Sequence, residues 1–102
     1  MINLNSYLYK QQKWSEKTFG PGNNTEGLCK HIEKELEEIK QAPHDPMEYA
    51  DVMILLLDMM WRNNVKVDDF VRALADKQEI NLKRKWHLEN MGTGKPIEHV
   101  RD

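Results

Sequence analysis

Apolar residues in this chain recur at helical spacing and almost nowhere alternate. Leu28, Ile32, Leu36 and Ile39 stand four, four and three positions apart, the stripe of a helix with one face in a core. From Met47 to Trp61 nearly every side chain is apolar. At about 100° per residue they point most of the way round a helix, leaving one polar arc of Glu48, Asp51, Asp58 and Arg62. Asp45-Pro46 supplies an N-cap and a proline at the first helical position, where the missing N–H costs nothing. Breakers cluster at Gly20-Pro21-Gly22-Asn23-Asn24, Pro43-His44-Asp45-Pro46, Asn63-Asn64 and Gly92-Thr93-Gly94-Lys95-Pro96. Together these signals predict helices over roughly 4–18, 25–41, 46–62 and 68–87, with a tail over 88–102 that is irregular and laid back through Ile97 and Val100. No stretch has the β-branched alternation of a strand. The expected fold class is therefore all-α, a small bundle of about four helices.

A helix apolar on most of its circumference must be surrounded. Three other short helices are too few to enclose residues 46–62, so dimerisation is expected to complete the core. The length of 102 residues fits one domain over 1–102.

Charge and composition narrow the partners. Fifteen Lys and Arg against 17 Asp and Glu give a net charge of −2, which offers no general attraction for nucleic acid. The longest apolar run, Val52 to Leu57, is far short of the roughly 20 residues a membrane helix needs. A single cysteine, Cys29, forms neither an internal disulfide nor a zinc cluster, and the first residues carry no basic or apolar leader. A cytoplasmic protein without membrane or nucleic-acid partners is expected.

Carboxylates on the most apolar helix are costly unless something cationic meets them. Glu35-x-x-Glu38 lies on one predicted helix and Glu48-x-x-Asp51 on the next, joined by a short proline turn that favours an antiparallel pair. Residues three apart share a helical face, so both pairs can aim into the groove between the helices. About four negative charges there would repel one another, and a hard divalent cation with oxygen ligands, magnesium above all, resolves the conflict. Two plainer alternatives stay open. Glu48 has the spacing of a capping box with Asp45, and Glu38 can pair with Lys34 or another nearby cation on the surface. Capping, however, accounts for neither Asp51 nor Glu35.

The fourth helix adds positive charge. Phe70, Ala73 and Leu74 open its buried face, and Lys77, Asn81 and Arg84 continue it. That row is either a basic helix end favoured by the macrodipole or a clamp for an anion bridging to the metal, such as a di- or triphosphate. Trp14, near Ser15 and Thr18, either stacks on a base or packs on the bundle. His31, one turn before Glu35, is either a surface residue or a support for that carboxylate. Gly92-Thr93-Gly94-Lys95 lacks the Ser/Thr and preceding strand of a phosphate loop and reads as a turn.

These residues resemble the metal-binding signature of the MazG-like, all-α nucleoside triphosphate pyrophosphohydrolases. The likeness extends to the dATP/dGTP diphosphohydrolase branch common in phages. It runs through Trp14-Ser15-Glu16-Lys17-Thr18-Phe19-Gly20-Pro21-Gly22, His31-Ile32, Lys34-Glu35-Leu36, Glu38-Ile39, Lys77-Gln78, Asn81 and Pro96-Ile97-Glu98-His99-Val100-Arg101. The resemblance implies magnesium-dependent hydrolysis of a (deoxy)nucleoside triphosphate to the monophosphate and pyrophosphate, with manganese as a substitute metal. It implies that Glu35, Glu38, Glu48 and Asp51 hold the metal, that Lys77, Asn81 and Arg84 hold phosphates, and that Asp58 lies near the sugar. A water would attack the α-phosphorus, and Glu35, flanked by apolar residues, would take its proton. Two departures stand out: only nine residues separate Glu38 from Glu48, and position 34 is Lys34 where a third acidic residue is expected. A homodimer, or a tetramer of two dimers, is the expected assembly. The competing class is a non-catalytic helical dimer whose acidic groove binds a nucleotide or a basic partner helix.

Overall fold

The computed structural model describes residues 3–101. It contains four helices, α1 (Leu4–Phe19), α2 (Thr25–Gln41), α3 (Pro46–Arg62) and α4 (Val67–Lys83), and no strand among the described residues beyond one isolated bridge. None of these helices is long and apolar enough to cross a membrane. The chain divides at Lys66/Val67 into two compact units.

In the first unit local chemistry sets each helix end. Asn3 caps α1 by accepting from the Ser6 N–H at 3.1 Å, and Gly20, at φ 83°, ends it. That left-handed value is one L side chains rarely adopt. Asp45 caps α3 by accepting from the Met47 N–H at 2.9 Å, with Pro46 behind it. Asn63 closes α3 and bonds across to Thr25 at 3.0 Å.

The helices run in a definite register. Glu38 lies against Glu48, Cys29 against Met59, and Thr25 against Asn63, so α2 and α3 are antiparallel. Helix α1 lies along α3 in the same direction, with Gln11 at Ile54 and Ser15 at Arg62. The α2 stripe faces inward as its spacing requires, with Leu28, Ile32 and Ile39 half-buried, while Leu36 stays 45% exposed.

The centre of this unit is polar. Leu57 is the one buried apolar side chain among the described residues, accompanied by buried Gln11, Ser15, Asp58 and Arg62. Opposite the polar arc, α3 leaves Tyr49, Met53 and Leu56 between 40% and 50% exposed. The anticipated all-round apolar surface of α3 thus resolves into two parts. Leu57 serves the core, and the face around Met53 and Leu56 is left uncovered by the other described residues of its unit.

The second unit departs from expectation at one end. Helix α4 stops at Lys83 instead of about 87 because the following backbone pairs with the tail. The His87 N–H donates to Glu98 O at 2.8 Å and the Val100 N–H to Lys85 O at 2.7 Å, forming an antiparallel bridge between Trp86 and His99. The tail is accordingly less irregular than its sequence implies. The segment around Thr93 is a turn, with Gly92 and Gly94 at φ 78° and 81°.

Candidate metal and nucleotide site

Carboxylate oxygens of Glu35, Glu38 and Glu48 lie within 4.8 Å of one another, at the end of the α2–α3 groove nearest the Pro43–Pro46 turn. The antiparallel register and the three-residue spacing bring them together, as the sequence predicts. Glu35 and Glu48 are half-buried and Glu38 is exposed. Asp51 falls outside that close group, one turn along α3, and lines the same groove as Glu35.

The two plainer readings of these residues do not describe this structure. A capping box needs the Glu48 carboxylate on the Asp45 N–H. That N–H is taken by Ala42 O at 3.1 Å. Among the described residues Glu38 forms no ion pair, with Lys34 or with any other cation. Buried oxygens of both Glu35 and Glu48 (Oε2 in each case) are left without a hydrogen-bond partner. Buried polar atoms are rarely left so, and a pair of orphaned carboxylate oxygens beside a third carboxylate is the donor set a hard divalent cation takes.

Desolvation pushes the Glu48 carboxyl above its ordinary value of 4.5, followed by its hydrogen-bonding contact with Glu38 and the charges of Glu38, Asp45 and Asp51. A carboxyl raised in the folded state binds more protons folded than unfolded, so metal-free stability falls as pH climbs from about 4.5 through the raised value. We expect this fall to shrink in Glu48→Gln. Metal, which requires the ionised form, should stabilise the wild type more at neutral than at acidic pH. Melting temperatures at several pH values, with and without Mn2+, measure both effects; equal pH slopes in the two proteins would remove Glu48 from the cluster's electrostatics.

From the cluster a groove of about 240 Å³ runs along α3 between α1 and α2. Its walls near the carboxylates are Glu35, Asp51 and His31; farther on come Gln11, Ile54 and Leu55; the distal end holds Trp14, Phe19, Leu28, Asp58 and Arg62. His31 Nε2 sits 3.3 Å from Glu35 Oε1, so it does support that carboxylate although its own side chain is 55% exposed. Trp14 is 57% exposed and packs edge-on against Phe19 at 5.3 Å, leaving ring surface open to the groove.

The distal wall is built on a residue that sequence reading left as one member of a polar arc. Arg62 donates to Asp58 at 3.2 Å, to the carbonyls of Gly20 and Gly22 at 2.9 Å, and to Ser15 Oγ at 2.9 Å. It thereby ties the end of α1 and the glycine turn to α3. Asp58 is engaged on both oxygens, accepting from Trp61 Nε1 at 2.8 Å as well. The Asp58-x-x-x-Arg62 spacing on an otherwise apolar helix was the available signal for this pair. No comparable signal marked Gln11.

Lys77, Asn81 and Arg84 belong to the second unit. Lys77 is exposed, and Asn81 and Arg84 are half-buried. Arg84 follows the last residue of α4, yet its N–H still bonds Ile80 O at 3.1 Å, so the helical register continues through it. Its guanidinium lies 3.4 Å from Asn81 Oδ1.

Comparison with known proteins yields several matches. Residues 8–102 match the dATP/dGTP pyrophosphohydrolase family. A dATP/dGTP diphosphohydrolase of Salmonella phage PMBT28 is 37% identical over 81 residues, covering 78% of this chain and 27% of that protein. The Eaa protein of Salmonella phage P22 is 37% identical over 90 residues, 88% of this chain and 27% of that one. A dATP/dGTP diphosphohydrolase of cyanophage S-2L is 39% identical over 71 residues, 65% of each. This chain thus spans about a quarter of the two Salmonella phage proteins. Among solved structures, the cyanophage S-2L MazG-like pyrophosphohydrolase, bound to dGDP and three catalytic Mn2+ ions per active site, superposes with a TM-score of 0.70. At 24% identity it covers 99% of this chain and 96% of its own. The fold is therefore MazG-like.

Proposed function

Because this chain belongs to the dATP/dGTP pyrophosphohydrolase family, we propose that it hydrolyses dATP or dGTP to the monophosphate and pyrophosphate, using Mg2+ or Mn2+. The observation that carries this reading is the cluster of Glu35, Glu38 and Glu48, with two orphaned buried oxygens, at one end of a groove whose other end is aromatic. A nucleotide has the same order of chemistry along its length.

Glu35, Glu38, Glu48 and Asp51 are assigned as metal ligands. Bound there, the metal would neutralise the triphosphate and lower the pKa of a water aimed at the α-phosphorus. Glu35 is assigned to take that water's proton; its half-buried carboxylate is steadied by His31. Trp14 is assigned to stack on the base, a contact open to any base because each has a π-face. Asp58 acts on the nucleotide through the wall it holds with Arg62 and Trp61. By family resemblance Lys77, Asn81 and Arg84 are assigned to phosphates, where charge moves onto the leaving pyrophosphate.

Incubating the protein with each of the eight common NTPs and dNTPs, with Mg2+, Mn2+ or EDTA, tests the reading. Equimolar monophosphate and pyrophosphate from a purine dNTP, only with metal, is the expected result. Nucleotide or peptide binding without turnover would favour a binding module instead.

The assembly assigned to this site is a homodimer, or a tetramer of two dimers. One buried apolar side chain among the described residues is a thin core, and the exposed face around Met53 and Leu56 on α3 is the surface a second copy would bury. Light scattering at micromolar concentration should give at least twice 12.1 kDa. A stable species at the monomer mass would exclude an obligate dimer.

A further inference from the structure

Ile54 and Leu55 leave the middle of the groove without an open polar group. Asp51, Ile54, Leu55 and Asp58 follow one another at i, i+3, i+4 and i+7, so they share one face of α3, and all four line the groove. Ile54 is 37% exposed and Leu55 half-buried, so their carbon surfaces are within a ligand's reach. The polar side chains beside them are not. Gln11 spends its Nε2 on the Ile54 carbonyl at 2.9 Å, and its Oε1 is buried away from solvent. Asp58 is engaged on both oxygens, and Ser15, 1% exposed, accepts from Arg62 through Oγ. The open polar side chains stand toward the two ends, His31 beside Glu35 and Asn24 at the start of α2.

Position along the groove says what meets this apolar step. Asp51, Ile54 and Asp58 are successive steps of about one turn along α3, each advancing roughly 5 Å. The carboxylates stand at the first step and Trp14 with Phe19 at the third. A nucleotide bound with its phosphates at the carboxylates and its base against the aromatic rings sets its sugar at the middle step. There a C2′ methylene buries carbon against carbon, whereas a 2′-hydroxyl loses water and gains no partner. The 3′-hydroxyl is common to deoxyribose and ribose and cancels from the comparison.

We propose that Ile54 is a specificity-determining residue, forming with Leu55 an apolar step that favours deoxyribose by stranding the 2′-hydroxyl of ribose. The proposal rests on the pyrophosphohydrolase reading and adds to it the residue that separates the two sugars. Selection is by an unmet hydrogen bond and not by size, so the site reads the hydroxyl's chemistry instead of its bulk.

The test compares dATP, ATP and 2′-fluoro-2′-deoxyATP, with Mn2+ present, in the wild type, Ile54→Thr and Ile54→Val. Wild-type kcat/KM should fall about 10–100-fold from dATP to ATP, the range an apolar site extracts from one added hydroxyl. The fluoro analogue, which adds bulk at C2′ but no hydrogen-bond donor, should stay close to dATP. Since the step touches no reacting atom, the fall should lie in KM with kcat kept. The Kd of ADP against dADP, measured by calorimetry, should show it without turnover. Ile54→Thr supplies a hydroxyl partner and should narrow the dATP/ATP ratio about tenfold. Ile54→Val only trims the side chain and should keep the wild-type ratio. Hydrolysis of dATP by the wild type supports the underlying reading by itself. A wild-type ratio near one, in the presence of that hydrolysis, overturns the sugar assignment alone and needs no variant. Rejection of the fluoro analogue as strongly as ATP overturns it too, because selection is then steric. The proposal is equally overturned if Ile54→Thr keeps the wild-type ratio, or if Ile54→Thr and Ile54→Val change it alike.

Discussion

Glu38→Gln and Asp51→Asn should each lose more than about 100-fold in dNTP turnover, beyond the 10–100-fold typical when a group behind a metal ligand is removed. Neither substitution should unfold the protein. Glu38 sits within 4.8 Å of two other carboxylates, and the Glu48 carboxyl is already raised by desolvation first and then by its neighbours Glu38, Asp45 and Asp51. Taking one charge away relieves that repulsion in the metal-free state. The variants should therefore melt at or above the wild-type temperature without metal, and lose the stabilisation that metal confers on the wild type. That stabilisation amounts to about 2.7 kcal/mol when free metal is a hundredfold above its Kd. Activity retained in either variant would remove the residue from the metal site.

The second large effect is on stability. Arg62 and Asp58 form an ion pair with side chains 1% and 7% exposed, and Arg62 also satisfies the carbonyls of Gly20 and Gly22. Arg62→Ala leaves Asp58 buried and unpaired, a change that typically costs about 3–5 kcal/mol. A small domain has about 5–15 kcal/mol in all. Replacing both partners, as in Asp58→Leu with Arg62→Met, should recover much of the loss because no buried charge is stranded. Urea denaturation of the two single variants and the double variant closes the cycle. A loss under about 1 kcal/mol in Arg62→Ala would reduce the pair to the worth of a surface bridge.

The parts of this molecule that were legible in the sequence are those set by local chemistry. Helix α3 begins and ends where Asp45-Pro46 and Asn63 place it, and α2 starts directly after the Gly20–Asn24 breakers, because caps and breakers act over one turn. Three of the four expected carboxylates were legible for the same reason, a three-residue spacing and a short turn, while Asp51 lies outside their close group. What depended on distant partners was not legible. The early end of α4 comes from tail residues Glu98 and Val100, which bond the backbone around Trp86. The polar centre depends on Arg62 reaching Ser15, 47 positions away, and on Gln11 meeting Ile54. Leu57 could not be told from its apolar neighbours on α3 until the packing of α1 and α2 singled it out.

In the proposed reaction a water held over the carboxylate cluster attacks the α-phosphorus of a deoxynucleoside triphosphate. Hydrolysis of dATP in 18O-labelled water with Mn2+ or Mg2+, followed by mass spectrometry of both products, tests it directly. The label should appear in dAMP and not in pyrophosphate, with no product formed in EDTA. Label in the pyrophosphate, or release of inorganic phosphate with dADP, would contradict it.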